Sequence, residues 1–81
     1  MYFVYGLYSP KYKKIYIGFT SDLDKRLFLH NNPINNGYTS RFKPWIKIYS
    51  EELQDKHSAM IREKQLKSAQ GRLFIKTFIP K

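Results

Sequence analysis

The stretch IYIGFTSDLDKRLFLHN, residues 15–31, decides the fold. It begins as a β-branched and aromatic run, ends that run at Tyr16-Ile17-Gly18, and turns through Thr20-Ser21-Asp22. Ser21 followed by Asp22 and Asp24 predicts a capped helix start with acids in its first turn. The helix runs to about His30 and is stopped by Asn31-Asn32-Pro33. A strand therefore feeds directly into a helix that carries Arg26 and His30 one turn apart. Packing alone does not require that pattern, whereas a site that handles phosphate has a use for it.

Working toward the N-terminus, YFVYGLYS (2–9) alternates two nonpolar faces, Tyr2, Val4, Gly6 and Tyr8 against Phe3, Tyr5 and Leu7. Such a strand suits the centre of a sheet covered on both sides. PKYK (10–13) reads as a turn and KIYIGF (14–19) as the second strand of a hairpin. With a four-residue loop, Ser9 faces Lys14, Tyr16 lies opposite Leu7, and Tyr5 and Tyr16 share one face. Toward the C-terminus, residues 31–43 are turn-rich, WIKIYS (45–50) alternates as a third strand, and residues 55–70 predict a helix ending before Gly71. RLFIKTFI (72–79) fits either a strand or a short packing helix. The expected architecture is one α+β domain over residues 1–81, a small three-stranded antiparallel sheet flanked by helices.

Composition bounds the function. The 81 residues suffice for one modest core, and the aromatic share of 17% fills it with few side chains. Absence of cysteine excludes disulfides, thiolate metal sites and thiol nucleophiles, and fits a cytoplasmic location. No apolar run is long enough to span a membrane, and the N-terminal charges follow rather than precede the apolar residues, unlike a secretory signal. Fifteen Lys and Arg against six acids give a net charge of +9, which favours a polyanionic partner, nucleic acid ahead of an anionic membrane.

One acid is out of place. On the second helix Ala59, Glu63, Leu66 and Gln70 form one stripe, so Glu63 sits on the face that should bury. Asp22 and Asp24 belong to a helix start, and Glu51, Glu52 and Asp55 to a strand end and turn. A buried carboxylate needs a cation or donors, which makes Glu63 either half of an ion pair or a metal ligand. Arg26 and His30 flank the apolar face of the first helix, suited to a phosphate and a proton respectively, or simply to solvent and the helix dipole. Gly18 is either a strand terminator or a place where a substrate backbone approaches Tyr16. Tyr5 and Tyr16 are ordinary as core aromatics.

Taken in order, Val4-Tyr5-Gly6, Tyr16-Ile17-Gly18, Arg26, His30 and Glu63 resemble the GIY-YIG nuclease domain. The resemblance covers nearly the whole chain. With the helix REKQLKSAQGR (62–72) it is similar to the small stand-alone members, those like the N-terminal nuclease domain of the DNA-repair excinuclease. Val4-Tyr5-Gly6 stands where the family name has Gly-Ile-Tyr, and Phe19 stands where some members carry a lysine. The resemblance implies hydrolysis of a DNA phosphodiester with a single Mg²⁺ or Mn²⁺ held by Glu63. Arg26 would stabilise charge on the phosphate and Tyr16 would activate or orient the attacking water. Tyr5 would hydrogen-bond at the same site, His30 would assist binding or proton transfer, and Gly18 would admit the substrate backbone. The acid count agrees with one metal, since a two-metal clamp needs several convergent carboxylates. A single ligand implies a weak site completed by substrate phosphates.

Arg41, Lys43, Arg62, Lys67 and Arg72, with Lys47, Lys64 and Lys76, are candidates for phosphate contacts, which position a duplex without reading its sequence. Solvated lysines are the plain alternative for most of them. The expected preference is therefore for DNA shape, such as branches or flaps, in repair or recombination, with no membrane partner. Two rivals remain. One is a domain of the same fold that binds nucleic acid without cutting, or cuts only with a protein partner. The other rests on IYIGFT and GRLFIKTF (71–78), which resemble the second and first ribonucleoprotein motifs of an RNA-recognition domain, although an extra strand precedes IYIG and only IPK follows Phe78, where that domain has a helix and a fourth strand.

Overall fold

The structure, a computed structural model, describes residues 1–31 and 41–80. Strand β1 (Tyr2–Ser9) lies between β2 (Lys14–Thr20) and β3 (Ile46–Leu53), antiparallel to both. The hairpin register is the one the alternation predicts, with Ser9 opposite Lys14, Leu7 opposite Tyr16 and Tyr5 opposite Gly18. Val4 through Leu7 are all buried, so β1 is covered on both faces. Val4 and Ile17 pack with Ala59, Leu66 and Ile75 on one side. Tyr5 and Leu7 pack with Trp45 on the other, edged by Tyr16, Leu23, Leu27 and Phe42.

Helix α1 (Leu23–Asn31) covers the second of these faces through Leu23 and Leu27. Its cap differs from the sequence expectation. The Asp22 carboxylate, not Ser21, accepts the backbone N–H of Lys25, because Thr20 fixes the turn by accepting the N–H of Asp22. The far end of α1 is tied to the start of β3. Asn31 accepts the N–H of Trp45 at 2.6 Å and donates to its carbonyl at 3.0 Å. Most of the expected loop, residues 32–40, lies outside the described residues.

Strand β3 runs further than the alternation suggested and takes in Glu51 and Glu52. Glu51 is tolerated in the sheet because Tyr49 donates to it at 2.6 Å and Arg62 at 3.0 Å. Helix α2 (Lys56–Lys67) is capped by Asp55 and ends at Ser68, three residues before Gly71. Ser68 at once caps helix α3 (Ala69–Lys76), its hydroxyl accepting the N–H of Gly71. The ambiguous C-terminal segment is thus mainly helix, which removes the strand that an RNA-recognition domain needs there. No helix among the described residues is long and apolar enough to cross a membrane.

Gly71 is a contact glycine rather than a stop. A Cβ there would clash with the Gln65 carbonyl oxygen and Leu66 Cα and lie 2.6 Å from the Leu66 carbonyl carbon. Gly71→Ala should therefore push α3 off α2 and destabilise the protein by about 3 kcal/mol, at the upper end of ordinary overpacking. Urea denaturation measures this, and a loss near zero would mean that the α2–α3 junction yields freely.

Candidate active site

A polar cleft of about 410 Å³ opens where the end of β2 meets α1 and α2. Tyr5, Tyr16, Gly18, Arg26 and Glu63 all line it, so residues from four elements converge. The register explains the tyrosines. Positions 5 and 16 fall on one face of adjacent strands, and their ring centroids are 6.3 Å apart. Gly18 leaves room for them. A Cβ at that position would come 2.7 Å from the Tyr5 hydroxyl and 3.1 Å from Tyr16 Cε1. Gly18→Ala is accordingly expected to displace one ring and to reduce any activity of the cleft by about 10²-fold, as misplacement of about 1 Å does elsewhere. A variant as active as the wild type would show that the tyrosines need no fixed position.

His30 stands behind this wall rather than in it. It is 6% exposed, its Nε2 is 3.1 Å from the Tyr5 hydroxyl, and its ring lies 4.8 Å from that of Tyr16. Burial, followed by the charge of Arg26, lowers the His30 pKa below its ordinary value of 6.5, so the imidazole is neutral at pH 7. Tyr5 moves the other way. Burial first, then Tyr16 and Glu63 against Arg26, raises its pKa, and the phenol keeps its proton. The pair therefore reads as Tyr5 O–H donating to neutral His30.

This shift has a sign that can be tested. Because the unfolded histidine binds protons more readily than the folded one, stability rises with pH between the two values. The contribution is full above about pH 6.5 and fades as pH falls through the lowered folded value. Urea midpoints for wild type and His30→Gln should diverge at neutral pH and converge on acidification. Parallel curves would mean that His30 does not titrate differently in the two states.

Glu63 has 20% of its side chain exposed, and one carboxylate oxygen is 3.6 Å from Lys67 Nζ. With Lys67 half exposed, such a pair at i and i+4 contributes only about 0.3–0.5 kcal/mol, so it does not lock the carboxylate away. No group of three or more metal-ligating side chains exists among the described residues. One hard oxygen donor facing a polar cleft fits Mg²⁺ or Mn²⁺, ions that keep several waters and take further oxygens from a substrate phosphate.

Lys56 also lines the cleft and was missed by the sequence reading. It lies two turns before Glu63 on the same stripe of α2, so the periodicity that singled out Glu63 also marks Lys56. Of the proposed phosphate contacts, Arg41 is exposed and Lys43 half-buried. Lys67 sits by Glu63, and Arg72 is on α3. Arg62 is held against β3, its Nε on Glu51 and its Nη1 on Gln65. Its bond to Glu51 helps keep that carboxylate's pKa low, after the larger effect of Tyr49. A larger hollow between α2 and α3, lined by Gln65, Leu66, Gly71 and Phe74 among others, gathers no comparable set of chemical groups.

Residues 1–76 match the GIY-YIG catalytic domain. The chain belongs to the GIY-YIG family. GIY-YIG domains form a nuclease superfamily, which implies a nucleic-acid substrate, and its members generally use a divalent metal. The chain is 36% identical over 67 residues to a UPF0213 protein of Clostridium perfringens, covering 83% of this chain and 71% of that one. It is 33% identical over 54 residues to a UPF0213 protein of Staphylococcus saprophyticus, covering 67% of this chain and 66% of the relative. No solved structure gives a significant match. The tyrosine, arginine and glutamate that the GIY-YIG resemblance singles out are the ones that share the cleft.

Proposed function

We propose that this protein is a metal-dependent endonuclease that hydrolyses DNA phosphodiester bonds with a preference for DNA shape over sequence, in repair or recombination. The observation that carries this reading is the convergence of Tyr16, Arg26 and Glu63 on one polar cleft that Gly18 also lines.

Glu63 would hold the ion, with water and phosphate oxygens as its remaining ligands. A bound Mg²⁺ would supply Lewis-acid stabilisation of charge on the phosphate and the leaving oxygen. Arg26 meets a phosphate oxygen pair through its planar fork, and Lys56 adds a second positive charge to the same cleft. Tyr16 orients the attacking water through its hydroxyl. Tyr5, protonated and anchored on neutral His30, is a hydrogen-bond donor and a positioning residue, not a base. His30 acts through Tyr5 and Tyr16. Arg41, Lys43, Lys67 and Arg72 contact the flanking backbone, with Arg62 presenting what its bonds to Glu51 and Gln65 leave free.

Cleavage assays on duplex, flap and branched DNA, with Mg²⁺ or Mn²⁺, test the activity and rank the shapes. Cutting of none of them, with binding retained, would favour a binding domain of the same fold. Binding itself should weaken steeply with salt, with a log–log slope of about −0.9 for each phosphate neutralised on duplex DNA. A flat response would mean that the charge of +9 is not an electrostatic footprint.

A further inference from the structure

A second group of cations converges away from the cleft. Lys13 and Lys14 at the β1–β2 turn, with Arg72 and Lys76 one turn apart on α3, line an open pocket of about 340 Å³ whose wall also includes Ile15. No acidic side chain lines it, and none of the four has an ion pair among the described residues, whose two salt bridges are Arg62–Glu51 and Lys67–Glu63. Lys13 has φ of 55°, the left-handed region where glycine or asparagine is usual, so a lysine there is held at some backbone cost. The Lys14 ammonium lies 4.9 Å above the Phe42 ring. Arg72 donates its Nε to the Lys67 carbonyl at 3.3 Å, a contact that leaves its positive charge unneutralised. Lys13, Arg72 and Lys76 are therefore the charges of the pocket that a ligand can meet. Like charges gathered without a counter-ion repel one another, and a polyanion relieves that repulsion.

The position of the pocket relates it to the cleft. β2 is an edge strand, and both sites open on it, the cleft at Tyr16 and Gly18 to Thr20 and the basic pocket at Lys14 and Ile15. At about 3.4 Å per residue, Lys14 lies about 14 Å from Gly18 along the strand. A duplex advances about 3.4 Å per phosphate on each strand, so this span corresponds to about four nucleotides. We infer that the pocket formed by Lys13, Arg72 and Lys76 is a second phosphate-backbone site that anchors the nucleic acid about four nucleotides from the cleft. The identity of the ligand rests on the nuclease reading; the site does not contact the reacting phosphate.

Fluorescence anisotropy without divalent metal separates binding from cutting. The probes are a long duplex of about 20 base pairs, a short hairpin with a stem of about 3 base pairs, and the RNA equivalents of both. The full chain is compared with a Lys13→Gly, Arg72→Gln, Lys76→Gln variant. Glycine suits φ at position 13, so its effect on the fold is small, and circular dichroism verifies this. On the long duplex the salt slope should shrink by about 2.7, three contacts at about 0.9 each, and affinity should fall at least about tenfold at low salt. The hairpin stem advances only about 10 Å, short of the span between the two sites, so its binding should change little. Lys76→Glu alone should act in the same direction with a smaller loss, which covers a folding failure of the triple variant.

An unchanged long-duplex slope, or equal losses on both lengths, overturns the anchor, the second outcome marking only a global charge effect. So does wild-type protein that binds phosphatidylserine vesicles through these residues while its nucleic-acid affinity is indifferent to them. The length-dependent loss in a protein that cuts nothing would keep the anchor and sink the nuclease reading. Cleavage with an unaltered slope would do the reverse. Loss on RNA alone, with DNA unaffected, would keep the anchor and change the substrate.

Discussion

Glu63→Gln is expected to reduce Mg²⁺-dependent cleavage by at least about 10³-fold while leaving DNA affinity within about twofold. The exchange is nearly isosteric and removes one charge from the inner stripe of α2. What Lys67, itself half exposed, loses is a partner at 3.6 Å, a contact too weak to support the fold. The melting temperature should therefore stay close to that of wild type. A large fall would identify Glu63 as a structural ion-pair member and withdraw it from the site. A readout independent of turnover is Mn²⁺ binding to the protein with uncleavable phosphorothioate DNA. It should be strong for wild type and lost for the variant. Retained Mn²⁺ binding would mean that the ligand lies elsewhere, whatever happened to the rate.

What the sequence disclosed depended on whether a residue's role follows from its own element. The hairpin register and the shared face of Tyr5 and Tyr16 follow from strand alternation and a four-residue turn, and both are found. Glu63 stood out because helical periodicity put a charge on an apolar stripe. Gly71 misled because glycine serves both as a helix stop and as a close contact. The deciding information, the approach of α3 to the Leu66 backbone, is tertiary. The extent of β3 was hidden for a similar reason. Glu51 looks like a strand end until Tyr49 and Arg62 arrive to satisfy it. His30 is the clearest case at the site. Its spacing from Arg26 suggested a second group facing the substrate. The docking of Leu23 and Leu27 turns the imidazole inward, onto Tyr5, where it is buried and neutral.

That inward turn separates two residues one helical turn apart, and the Arg26 substitutions measure the separation. Arg26 is exposed and lines the cleft, so Arg26→Ala should leave folding intact and lower kcat by about 10²–10³-fold, the usual effect of removing one stabilising donor. Affinity should fall much less, because many other cations share the ground-state attraction to DNA. Arg26→Lys should recover only part of the rate, since an ammonium supplies the charge but not the planar fork. Nuclear magnetic resonance of His30 provides a readout that does not involve cleavage. The guanidinium contributes to the lowering of the His30 pKa, second to burial. In Arg26→Ala that pKa should rise toward the ordinary histidine value without reaching it, whereas Arg26→Lys should leave it nearly where wild type has it. A slow variant with an unmoved His30 would mean that Arg26 acts on the rate from further away than the cleft geometry implies. An unchanged rate with a raised His30 pKa would leave Arg26 a neighbour of the site and remove it from the chemistry.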